Sequence, residues 1–84
     1  MTRISYSRAA LRTLMRMPRN IARLIRSKIE QCAADPTSLA NNVKSLKGEP
    51  RYFRLRVGDW RVVFGEGKDE IRVIRIAPRG SAYD

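Results

Sequence analysis

Three arginines, Arg54, Arg56 and Arg61, fall within one short alternating stretch, and the chain contains no histidine. The lack of His removes imidazole acid/base chemistry, His metal ligands and every Ser-His-Asp triad at once. Guanidinium chemistry remains: a planar, permanently charged fork that matches phosphate bidentately. Tyr52 opens the same stretch, and Arg79 and Tyr83 lie in a polar C-terminal segment that could fold over it. A tyrosine among cations has its ionised form favoured, and its ring can stack on a base. These residues suit phosphate binding and proton transfer at a phosphate. A frayed tail is the plainer reading of the terminus.

The whole chain has the same bias. Lys and Arg number 18 against 8 Asp and Glu, a net charge of +10 on 84 residues, and 14 of the 18 are Arg. Such a field attracts polyanions: nucleic acid, an acidic protein or an anionic membrane. Hydrophobic content of 43% suits a globular chain, and the length suits one domain, residues 1–84. Cys32 is the only cysteine, which excludes an internal disulfide and a thiolate metal cage and leaves a small core residue. No apolar run approaches the roughly 20 residues of a membrane span. The N-terminus enters Thr2-Arg3-Ile4-Ser5-Tyr6 without a signal-peptide core, so a cytoplasmic location is expected.

The elements that must position the arginines follow from periodicity. Residues 3–6 alternate, a short strand. Ser7 is an N-cap candidate for a first helix with apolar Ala10, Leu11, Leu14, Met15 and Met17. Pro18 separates it from a second helix, whose stripe is Ile21, Leu24, Ile25, Ile29 and Cys32 and which Asp35-Pro36 ends. Residues 37–51 read as a looser segment with turn chemistry at Asn41-Asn42 and Gly48, pinned to the core by Val43 and Leu46. Three antiparallel strands complete the chain: residues 52–57, residues 60–64 and residues 70–77, with turns at Gly58-Asp59 and over residues 65–69. The fold class is α+β, an N-terminal strand and a two-helix hairpin packed on one face of a small antiparallel sheet. Arg8, Arg12, Arg16, Arg19, Arg23 and Arg26 recur at helical spacing, either a solvated face or a track for a nucleic-acid backbone.

A two-residue turn at Gly58-Asp59, with Gly first as in a type II′ hairpin, fixes the register. Val57 then opposes Trp60, Arg56 opposes Arg61, Leu55 opposes Val62, and Arg54 opposes Val63. Opposed residues share a face. Phe53, Leu55, Val57, Trp60, Val62 and Phe64 form the core face, and Tyr52, Arg54, Arg56 and Arg61 form the other. Burying three unpaired guanidinium groups is prohibitively costly, so that face is expected to be open. Like charges directly opposite repel, which favours a phosphate ligand there over a face built for stability alone.

The run Tyr52-Phe53-Arg54-Leu55-Arg56-Val57-Gly58-Asp59-Trp60-Arg61-Val62-Val63-Phe64 resembles the central hairpin of the RelE/ParE toxin superfamily. Leu46-Lys47-Gly48, the helical pair and the ending Ile74-Arg75-Ile76-Ala77-Pro78-Arg79-Gly80-Ser81-Ala82-Tyr83 also resemble family segments, so the likeness spans essentially the whole chain. It implies a RelE-like fold and the toxin role in a type II toxin–antitoxin system. RelE-like toxins cut mRNA in the ribosomal decoding site, without metal or other cofactor, by attack of a ribose 2′-OH on the adjacent phosphate. The implied partners are mRNA on the ribosome and a cognate acidic antitoxin in a hetero-oligomer. By position the resemblance gives Arg54, Arg61, Arg79 and Tyr83 catalytic roles, and Arg56 and Tyr52, with Arg54 and Arg61, RNA or phosphate binding. This chain departs from the pattern in having Tyr52 and Arg54 where the best-known branch has lysines, and in a short interval from Arg79 to Tyr83. The ParE branch shares the fold but poisons DNA gyrase, and a non-catalytic basic nucleic-acid binder would show the same composition.

Overall fold

The computed structural model describes residues 2–35, 42–46 and 48–80. The element order is β1 (Arg3–Tyr6), α1 (Arg8–Arg16), α2 (Arg19–Ala34), β2 (Val43–Leu46), β3 (Glu49–Val57), β4 (Trp60–Gly67) and β5 (Glu70–Pro78). The strands form one five-stranded sheet in the order β1-β5-β4-β3-β2. β1 runs parallel to β5, and the other pairs are antiparallel. Both helices pack on one face, so the expected α+β layering holds, with a mixed sheet rather than a purely antiparallel one. Among the described residues no helix is long and apolar enough to cross a membrane.

Ser7 starts α1 as expected: its hydroxyl oxygen accepts from the Ala10 amide at 3.0 Å. Pro18 then serves as N-cap of α2, where its missing N–H costs no helical bond. Ala10, Leu14 and Met17 of α1 and Ile25, Ile29, Cys32 and Ala33 of α2 meet Leu55, Val57, Val62, Phe64, Ile71, Val73 and Ile76 of the sheet. Phe53 stacks on Phe64 at a centroid distance of 5.5 Å. Burial raises the pKa of the Cys32 thiol, with the Glu66 carboxylate adding to it, as befits a core residue.

Four expectations are corrected. The segment read as loose contains β2, an edge strand too short and too polar to announce itself by alternation. β3 begins three residues before Tyr52, at Glu49, and β4 runs on through Gly65 to Gly67, leaving Lys68 and Asp69 as the turn. The apolar stripes were drawn too wide, because Leu11, Met15 and Leu24 are exposed. Trp60 faces the core as expected but is only half-buried, since it sits beside the hairpin turn at the sheet's end. The arginine row on the helices is exposed, and Arg26 lies over the Tyr6 ring at 5.5 Å. Pro36, Asn41 and Lys47 lie outside the described residues.

Candidate functional site

The hairpin has the register the sequence requires: Val57 pairs with Trp60, Arg56 with Arg61, Leu55 with Val62 and Arg54 with Val63. Gly58 has φ +57 whereas Asp59 is not among the positive-φ residues, the sign pattern of a type II′ turn. Pairing with the neighbouring strands arranges the helix-free face in three rows. Nearest the turn are Arg56, Arg61 and Ala77; next come Lys44, Arg54, Val63 and Arg75; farthest are Tyr52, Gly65, Arg72 and Ser5. Strands lie about 4.8 Å apart and each two-residue step covers about 7 Å. Tyr52 therefore stands roughly 14 Å along β3 from Arg56, too far to share one phosphate with the turn row. The predicted arginines come together; Tyr52 stands apart from them.

Arg61 corrects the expectation of an open guanidinium. It is 7% exposed, and its Nη1 donates to the carbonyls of Gly58 and Trp60, both at 3.0 Å. The side chain folds back onto the hairpin turn, so carbonyl dipoles help it tolerate burial opposite Arg56. Its charge is fixed in place rather than waving in solvent, and it also holds the turn. Arg61→Ala should accordingly cost roughly 1–3 kcal/mol by stranding those carbonyls, visible as a lower midpoint in urea unfolding. An unchanged midpoint would mean that these bonds contribute nothing. Arg56 is exposed and Arg54 half-buried.

Lys44, Arg72 and Arg75 complete the face and were not singled out from the sequence. Arg72 and Arg75 are three residues apart, so a regular strand would point them to opposite sides. A β-bulge, marked by the register shift between Val63 and Phe64, puts both on the open face. The bulge leaves the Ile74 carbonyl to another donor, and the Ser7 hydroxyl supplies it while capping α1. Ser7→Ala should thus cost about 1–2 kcal/mol and speed amide exchange at Ile74 and Arg75. Unaltered exchange there would separate the cap from the bulge. In the residue order the three-residue spacing of Arg72 and Arg75 is the one clue to the bulge.

Arg79 is exposed just beyond β5, where its amide donates to the Asp59 carbonyl at 2.7 Å. That bond ties the chain's exit to the turn row, the position a C-terminal contribution to the site requires. Tyr83 lies outside the described residues. Tyr52, 38% exposed, lies against Gly65: a Cβ at position 65 would meet its Cε1 at 2.8 Å. Gly65 is thus required by space, not by a turn, which explains why the strand continues through it. On this face Arg72 pairs with Glu70 at 3.6 Å. On the opposite face burial raises the Tyr6 hydroxyl above its ordinary pKa; Arg26 opposes the shift and Glu30 adds to it.

The comparisons agree with this architecture. A family model described as "ParE toxin of type II toxin-antitoxin system, parDE" matches residues 4–83. Toxin RelE3 of Methanocaldococcus jannaschii is 29% identical over 84 residues, covering 98% of this chain and 96% of the relative. Among solved structures, the archaeal RelE–RelB complex from Pyrococcus horikoshii matches with a TM-score of 0.80 at 22% identity, covering 96% of this chain and 98% of that one. The RelB–RelE antitoxin–toxin complex from Methanococcus jannaschii matches at 0.75 with 27% identity, covering 95% of each chain. The isolated Escherichia coli RelE toxin matches at 0.79 with 15% identity, covering 98% of this chain and 88% of that one.

Proposed function

The chain belongs to the family of ParE toxins of type II toxin–antitoxin systems, and we propose that within it this chain acts as a metal-independent mRNA interferase on the ribosome, in keeping with its likeness to Toxin RelE3. The observation that carries this reading is the middle row of the open face, in which Arg54 and Arg75 flank apolar Val63 with Lys44 beyond. A phosphodiester laid over Val63 meets cations from both sides. In cleavage the ribose 2′ oxygen attacks the adjacent phosphorus, its proton passes to a base, and the P–O5′ bond breaks as O5′ takes up a proton. Extra negative charge builds on the non-bridging oxygens, where fixed guanidinium groups interact more strongly than in the ground state. Arg54 serves that charge with Arg75 across Val63, Arg61 holds the hairpin turn, Arg56 and Tyr52 hold flanking RNA, and Arg79 contributes from just beyond β5. Tyr83 is assigned proton transfer, because an arginine holds its proton too tightly to serve as a base. In the cell the cationic face is silenced by an acidic antitoxin segment, in keeping with RelE relatives solved with RelB.

Induction in bacteria, with transcript 5′ ends mapped with and without the neighbouring gene, tests the reading. It requires new 5′-hydroxyl ends within translated codons, suppressed when the neighbour is co-expressed. The description of the matching family favours a second reading, a ParE-like poison of DNA gyrase. That reading requires DNA damage with intact transcripts.

A further inference from the structure

The far row of the sheet face holds a feature that phosphate binding does not need. Gly65 and Gly67 leave β4 without side chains at successive positions on this face, the first covered by the Tyr52 ring and the second paired with Glu70. The result is a slot of about 230 Å³ between Tyr52 on β3 and Glu70, Arg72 and Ile74 on β5. That volume falls below the roughly 300–1,000 Å³ of sites for drug-sized ligands, the scale of a single planar base. Its composition is equally particular. Tyr52 brings an aromatic ring, partly open to solvent, that can take a base by stacking. Glu70 is a carboxylate on an otherwise cationic face, where it weakens attraction for phosphate.

Glu70 is held but not saturated. Its Oε1 lies 3.6 Å from Arg72 Nη2, and its Oε2 accepts from the Ser5 hydroxyl at 3.4 Å. Both contacts are long, and a carboxylate offers about four lone-pair sites. Its side chain keeps 30% exposure. Two parallel acceptor oxygens match a base edge with two adjacent donors. Guanine has that edge in N1–H and the N2 amine; cytosine and adenine put an acceptor beside their single donor group, and uracil flanks its N–H with two acceptors. We propose that the slot between Tyr52 and Glu70 is a guanine-selective base subsite, with Tyr52 as stacking surface, Glu70 as reader of the paired donors and Arg72 as the cation for the attached phosphate. This rests on the reading that the face takes RNA. One two-residue step of about 7 Å along β3 separates Tyr52 from Arg54, so the base in the slot belongs to a nucleotide next to the phosphate over Val63.

The test titrates the free 84-residue chain with GMP, AMP, CMP and UMP, following backbone amides by NMR. GMP should bind roughly tenfold more tightly than the others, the lower end of bidentate base discrimination, and should shift Gly65 and Gly67. Glu70→Gln replaces one acceptor with a donor and should abolish the preference, leaving all four nucleotides at the weaker level. Tyr52→Leu should weaken all four, by roughly tenfold for a lost stack. Circular dichroism checks that both variants are folded. Equal affinities in the wild type, no binding, shifts elsewhere, or a guanine preference that survives Glu70→Gln overturns the subsite. Ribosomal cleavage without guanine dependence would sink the subsite alone. Guanine preference without ribosomal cleavage would leave the subsite and sink the interferase reading.

Discussion

Replacing Arg54 with alanine should slow single-turnover cleavage of mRNA on programmed ribosomes by roughly 10²–10³-fold, the scale of losing one donor to developing charge. Arg54 is half-buried in the row that also contains Lys44, Val63 and Arg75, so its surroundings limit how far the guanidinium can wander. A preorganised cation acts most strongly where charge grows between ground and transition state. Ribosome affinity should fall much less, because Arg56, Arg72, Arg75 and the net charge of +10 share the attraction for phosphate. Measuring rate and affinity in parallel separates the two effects. Equal losses would make the face a docking surface without catalytic action. Arg54 is a cleaner probe than Arg61, whose removal also disturbs the turn it ties down.

Phe64→Ala should destabilise the fold by roughly 3–5 kcal/mol. Phe64 is 4% exposed, stacks on Phe53 and adjoins the bulge that turns Arg75 to the open face. A chain of this size is stable by only about 4–13 kcal/mol, so the variant should melt at least 10 °C lower, by roughly 4–8 °C per kcal/mol. Loss of the ring removes apolar contact and leaves a cavity that a small core fills only in part. A shift of under about 2 °C, the scale of a few tenths of a kcal/mol, would contradict the assignment of the hairpin's core face.

Most of the hairpin could be read from residue order because one short turn fixed it. With Gly58-Asp59 as a two-residue loop, the alternation left only one way to bury Phe53, Leu55, Val62 and Phe64 together. The helices were legible for a similar reason, from Ser7, Pro18 and the spacing of Ile25, Ile29 and Cys32. What was hidden depended on contacts distant in sequence. β2 is recognisable by its pairing with β3, not by its own pattern. Gly65 looked like a turn residue, whereas its role is to make room for Tyr52. The burial of Arg61 comes from a side-chain fold-back that a face assignment does not foresee. Arg75 was missed because a bulge changes parity midway through β5.

RNA cleavage by the arginine rows is best examined with purified chain and ribosomes carrying a defined codon in the decoding site. In single turnover the wild type should cut within that codon, leaving a 5′-hydroxyl on the downstream fragment, while gyrase supercoiling assayed alongside stays unaffected. Intact mRNA together with loss of gyrase supercoiling would rule out RNA cleavage and make the same face the surface of a gyrase poison.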